Sequence, residues 1–230
     1  MKLLVEPMAL EDIPQVIEVD RESYTLPWPA SAYRREILHN RHARYIVLRE
    51  VPSDAASGES AQFEQRHRLP FPFLRWSRNA NGKLGRPGTI VGYAGMWLMV
   101  DEAHITTIAI RTSWRGKGLG ELLLISLIEA ATAVGTGRLT LEVRVSNEPA
   151  QQLYRKYGFQ QEGVRSRYYS DNNEDAYIMT TGSIQDSAYQ SRARDLTATL
   201  HNRLRVDCPL PVEAPPFHFL NDLAIRPGPE

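Results

Sequence analysis

The sequence predicts an α/β (α+β) fold, a sheet flanked by helices, and three observations carry that prediction. Strand-like alternation is clear where Leu139, Leu141, Val143 and Val145 share one face while Glu142 and Arg144 share the other. Helical spacing is clear where Leu119, Leu122, Leu123, Ser126, Leu127, Ala130 and Val134 recur every three or four residues. A chain of 230 residues with 42% hydrophobic content can bury one sizeable core with appendages, but not two full domains.

The elements follow in order. Leu3 to Glu6 reads as a first strand. Ile13, Val16, Ile17 and Val19 mark one face of a helix that tolerates Pro14 in its first turn, and Leu26-Pro27-Trp28-Pro29 breaks it. Ser31 suits the N-cap of a short helix through Leu38, and Tyr45 to Leu48 gives a second strand. Thr89 to Met99 and Ala103 to Ile110 predict a hairpin around Asp101-Glu102, followed by the long helix that begins near Gly118. After the Leu139 strand, Asn147 can cap a helix through Tyr157, with Gly158 ending it. Strands from Phe159 to Tyr168 and from Asp175 to Met179 close a domain spanning residues 1–181.

Residues 182–230 form an extension. Ile184, Ala188, Leu196, Leu200 and Leu204 fall at multiples of four and predict a further helix. A proline-rich tail begins at Pro209, and its apolar residues either wrap the core or stay disordered. Residues 51–88, rich in proline, glycine and serine, read as an insertion. It carries six cationic side chains against three carboxylates, beside Phe71, Phe73 and Trp76. Such an arm could touch ribosomal RNA or an acidic partner, but a solvated loop whose aromatics pack back on the domain is the favoured reading.

Lys plus Arg equals Asp plus Glu, so no global field steers the protein toward nucleic acid or an anionic membrane. The single cysteine, Cys208, rules out an internal disulfide framework and fits a reducing compartment, the cytoplasm. Met1 to Val5 is too short an apolar run for a signal peptide, and Ile90 to Val100 falls well short of the roughly 20 residues that span a bilayer. His39 and His42 lack acidic or cysteine company, so no metal site is expected.

Arg115-Gly116-Lys117-Gly118-Leu119-Gly120 lies between the strand ending at Ile110 and the long helix. Glycines let the backbone approach a ligand, and the first helical turn offers unpaired N–H groups at the positive end of its dipole. The segment is therefore a candidate pyrophosphate cradle, the simpler reading being a tight turn. It is not a Walker loop, because Gly118 follows Lys117, nor a dinucleotide fingerprint, because Glu121 stands where the last glycine belongs.

That loop, with Tyr24-Thr25-Leu26-Pro27-Trp28, Leu141 to Asn147, Leu153 to Phe159, Arg167-Tyr168-Tyr169 and Glu174-Asp175-Ala176, resembles the GNAT superfamily of N-acetyltransferases. Within it the chain looks most like the RimI-type enzymes, which acetylate the N-terminal amine of proteins, a ribosomal protein with N-terminal alanine being the best known target. The resemblance covers roughly residues 1–50 and 89–181. It implies a mixed, mostly antiparallel central sheet flanked by helices, with acetyl-CoA as co-substrate and no metal.

The resemblance also implies site residues. Backbone groups of Arg115, Gly116, Lys117, Gly118, Leu119 and Gly120 would bind the pyrophosphate, the strand residues Ile108, Ala109 and Ile110 the pantetheine arm, and Asn147 the CoA arm as well as capping its helix. Glu142 would be the general base and Tyr154 the general acid for the departing thiolate. Tyr168 and Tyr169 would cover the first residues of a protein N-terminus. Each also has a plainer reading, Glu142 as a surface carboxylate and the tyrosines as packing residues. A lysine or small-amine acceptor, or a non-catalytic acyl-CoA-binding module, remain open alternatives.

Overall fold

The structure, a computed structural model, describes residues 2–51, 77–78, 84–207 and 212–213. Most of the 51–88 insertion and of the proline-rich tail, with Cys208, lies outside the described residues. Among these, β1 (Lys2–Pro7), β2 (Ala43–Val51), β5 (Thr89–Leu98), β6 (Glu102–Ile110), β7 (Arg138–Arg144), β8 (Phe159–Tyr169), β9 (Glu174–Thr181) and β10 (Val212–Glu213) form one sheet. Its order is β10-β1-β2-β5-β6-β7-β9-β8, and a separate short ladder joins β3 (Ser77–Arg78) to β4 (Leu84–Gly85). Neighbours are antiparallel except at β1/β10 and β6/β7.

Each face of the sheet is buried by helices. Helices α1 (Ile13–Ser23) and α2 (Ala30–His39) cover one face, where Val16, Val19, Tyr33, Tyr45, Val47, Ile90 and Tyr93 pack together. Helix α3 (Leu119–Ala133) covers the other, on Ile46, Leu48, Val91, Met96, Leu139 and Leu141. The strands alternate between these clusters because successive side chains leave opposite faces.

Several expectations shift in detail. Helix α2 starts one residue earlier than its predicted cap: Pro29, extended at φ −72° and ψ 152°, is the N-cap, and Ser31 lies inside the first turn. Ile184 precedes α5 (Ser187–Asp207) rather than belonging to it, yet it is fully buried. Helix α3 is buried well beyond its predicted face, Leu124, Ile125 and Ile128 included. The cause is α5, which lies along its outer side and places Leu196, Leu200 and Leu204 in the same core. An amphipathic helix becomes apolar all round when a second layer covers it.

Helix α5 runs antiparallel to α3. Just ahead of it, Gln185 donates to the carbonyls of Thr132 and Thr136 at the C-terminal end of α3, while Arg203 reaches Glu121 in its first turn. Residues 212–213 then pair with Leu3 and Leu4 at the edge of the sheet.

Candidate active site

The parallel pair β6/β7 positions the site. Pairing runs from Glu102↔Arg138 only to Ile105↔Leu141, after which the strands part. In β6 a bulge at Thr106 shifts the register, since Gly95 pairs with Thr107 but Met96 with Ile105. Beyond it, Arg111 N–H donates to Val91, so the alternating residues Ile108 and Ile110 turn their peptide groups toward the β7 side. Their carbonyls accept from Tyr24 Oη (3.2 Å) and Arg115 Nε (3.0 Å).

At the mouth of this seam stands the loop from Arg115 to Gly120. Gly116 and Gly118 adopt φ +77° and +79°, left-handed values that favour glycine, and no side chain caps the first turn of α3. The cradle the loop makes suits an anion, and the strand edges beside it suit a chain of amides. The side chains at the loop have structural work. Arg115 braces β6 to the end of α1, donating to Ile110, to the carbonyl of Glu22 and to Ser23, while Lys117 Nζ sits 4.6 Å above the Trp114 ring.

Across the seam, β7 and helix α4 (Glu148–Lys156) position Glu142 and Tyr154, the two candidate reacting groups. Asn147 Oδ1 accepts from Ala150 N–H (3.3 Å), the predicted cap, and Gln151 Nε2 donates to the carbonyls of Arg144 and Val145. These bonds fix α4 to the end of β7 and thereby place Tyr154, which packs on Phe159 with ring centroids 5.7 Å apart. The Tyr154 hydroxyl makes no hydrogen bond among the described residues, and burial, with Tyr24 and Tyr169 nearby, pushes its pKa well up.

Glu142 is not a solvated carboxylate. Its side chain is 8% exposed, with Oε2 2.6 Å from His104 Nε2 and Oε1 accepting from Arg165 Nε at 2.9 Å. The bond to His104, helped by Arg165, holds the carboxyl below the ordinary range although burial pushes the other way. Tyr168 and Tyr169 meet edge to face at 5.2 Å beside it. Arg165 lies over Tyr168, and Arg144 stacks on Tyr169 at 3.8 Å while bonding Asp171 and Glu174 across the β8–β9 turn. Burial pushes the Tyr169 hydroxyl up to about 12.

The structure thus brings Glu142 beside the Tyr168-Tyr169 pair, with Tyr154 near Tyr169, and sets the loop at the far end of the seam. Sequence reasoning missed His104, Arg165 and Arg144. His104 was within reach: in parallel register it pairs with Thr140, whose face Glu142 shares. Among the described residues no group of three or more His, Cys, Asp or Glu could hold a metal ion. No described helix is long and apolar enough to cross a membrane.

A splayed parallel pair, a glycine loop at a helix N-terminus and a buried carboxylate beside the Tyr168-Tyr169 pair suit an acyl-transfer enzyme. The profile of the acetyltransferase (GNAT) family matches residues 13–159, and the chain belongs to that family, with acetyl-CoA as its co-substrate. A provisionally named ribosomal protein bS18-alanine N-acetyltransferase of Bacillus subtilis (strain 168) is 38% identical over 178 residues, 77% of this chain and 94% of that protein. The N-alpha-acetyltransferase RimI of Mycobacterium tuberculosis (strain H37Rv) is 32% identical over 161 residues, 68% of this chain and 77% of that protein. The crystal structure of the ribosomal-protein-S18-alanine N-acetyltransferase from Escherichia coli shares the fold, with a TM-score of 0.57, 23% identity and coverage of 79% of this chain and 94% of that one.

Proposed function

We propose that this enzyme is a cytoplasmic N-alpha-acetyltransferase that acetylates the N-terminal amine of a protein, a ribosomal protein with N-terminal alanine being the first candidate. The observation that carries this reading is Glu142, held between His104 and Arg165 beside the Tyr168-Tyr169 pair. Acetyl-CoA supplies an activated acetyl thioester. What the chain's residues must do is align an amine, take its proton and ease the departure of a thiolate.

Amine alignment falls to the aromatic pair, which gives a rigid wall that suits the first residues of a peptide. An N-terminal amine has a reference pKa near 7.7–8.0, so a large share is already neutral at pH 7 and only modest basic help is needed. Glu142, ionised at neutral pH, accepts the proton directly or through one water, and His104 bonded to Oε2 fixes its orientation. Tyr154 remains protonated because burial raises its pKa, so it donates a hydrogen bond to charge developing on sulfur rather than giving up its proton. Direct attack in a ternary complex follows, since the one cysteine, Cys208, falls outside every motif of the site.

The test uses peptides with free and blocked N-termini, read by intact mass and fragment sequencing. Acetylation of free N-termini is expected, and acetylation of blocked peptides only, at lysine, would overturn the reading. Glu142→Gln should keep CoA binding and lose turnover by on the order of 10²-fold, the low end for general-base catalysis because the carboxylate is a weakened base. Tyr154→Phe should lose about 10–100-fold, the worth of a hydrogen bond to a charged group. Near-normal turnover in both variants would sink the assignment of roles.

A further inference from the structure

Helix α5 lies outside the residues that the family profile matches, 13–159, yet its last turns end on the phosphate loop. A Cβ built on Gly118 would lie 2.9 Å from Arg203 Nη2, 3.2 Å from Leu200 and 3.5 Å from Leu204. The same Arg203 nitrogen is 2.6 Å from Glu121 Oε2, in the first turn of α3. Lys156, from α4, reaches Glu121 Oε1 at 2.5 Å, and Tyr157 donates to that oxygen at 2.6 Å.

Glu121 poses an electrostatic problem that this arrangement answers. A carboxylate in the first turn of α3 favours the helix dipole but repels the phosphates that the same turn must hold. It is 7% exposed, so water screens it little. Two cations converge on this one carboxylate, leaving a net positive charge at the loop. The guanidinium of Arg203 has five N–H donors in a rigid fork, and its bond to Glu121 engages one nitrogen. Its side chain is 44% exposed and lies beside Gly118, so donors beyond the Glu121 bond are open to solvent next to the loop.

We infer that Arg203 is a ligand of the CoA pyrophosphate, delivered by the C-terminal extension and oriented by Glu121, so that α5 is a working wall of the co-substrate site. The inference rests on the use of acetyl-CoA at the glycine loop. Arg203→Met removes the donors and keeps much of the bulk that packs near Gly118.

Isothermal titration with CoA, dephospho-CoA and pantetheine tests it. Arg203→Met should weaken CoA and dephospho-CoA by the same factor, about tenfold or more, and leave pantetheine unchanged. The weakened binding should also depend less steeply on salt. Arg203→Lys, which offers a point charge in place of a fork, should fall between the two proteins. Glu121→Gln in the Arg203→Met background should not restore affinity, because the phosphate contact is still missing.

Full restoration by Glu121→Gln would reduce Arg203 to a partner of Glu121 and overturn the inference. A loss confined to CoA would put Arg203 on the 3′-phosphate and overturn the pyrophosphate assignment. CoA affinity within twofold of the parent would dismiss Arg203 as a ligand altogether. If the parent protein itself bound no CoA, the reading of the loop would fail instead.

Discussion

His104 shows how one unassigned side chain sets the chemistry of an assigned one. Its bond to Glu142 is the largest influence lowering that carboxyl's pKa, with Arg165 second among the attractive partners. Replacing His104 with Leu removes that donor, so the pKa of Glu142 rises and the carboxylate is lost at higher pH as acid is added. The acid limb of the kcat/KM profile should therefore move to higher pH in His104→Leu, while CoA affinity stays near that of the parent. A full pH–rate profile with saturating acetyl-CoA checks this, and an unmoved acid limb would show that ionisation of Glu142 does not govern the rate. Glu142 was legible as a candidate because its segment resembles a known motif. Its environment was not, because His104 lies 38 residues away and reaches it only through the parallel register of β6 and β7.

At the scale of elements, the β8–β9 hairpin carries Tyr168 and Tyr169, the pair proposed to face the peptide. Its turn is held by Arg144, which forks onto Asp171, bonds Glu174 and stacks on Tyr169. Arg167 and Asn173 stand at φ 52° and 57°, and Arg167 N–H donates to Asp175 at 2.7 Å, so the turn is fastened at both ends. Arg144→Met should loosen the Tyr168-Tyr169 wall and raise KM for the peptide severalfold, leaving KM for acetyl-CoA unchanged. Steady-state kinetics with each substrate varied in turn reads that split. The elements of this half were legible from alternation and from the Asn147 and Gly158 caps. The bulge at Thr106 was not, since no glycine or proline in β6 marks it, and it is the bulge that turns Ile108 and Ile110 toward the seam.

For the whole molecule, residues 182–207 of the extension are part of the folded body. Leu200 and Leu204 are 1% and 2% exposed, and Tyr189 donates from its hydroxyl to the Tyr157 carbonyl at 3.1 Å. Leu200→Ala should cost roughly 2–5 kcal/mol, as for other buried leucines, and lower the midpoint of chemical denaturation accordingly. A change under about 0.5 kcal/mol would mean that α5 is docked loosely. The helical spacing of 184–204 announced the helix but could not say what it covers. That became visible only in the burial of Leu124, Ile125 and Ile128 on the outer side of α3.

The parting of β6 from β7 after Ile105 and Leu141 carries a thermodynamic corollary. A sheet whose middle ladder stops short leaves strand edges that a bound amide chain can complete, so occupancy and folding are linked equilibria. Co-substrate at 100 times its Kd should add about 2.7 kcal/mol to the folded state, read as slower proteolysis and a higher Tm with rising acetyl-CoA.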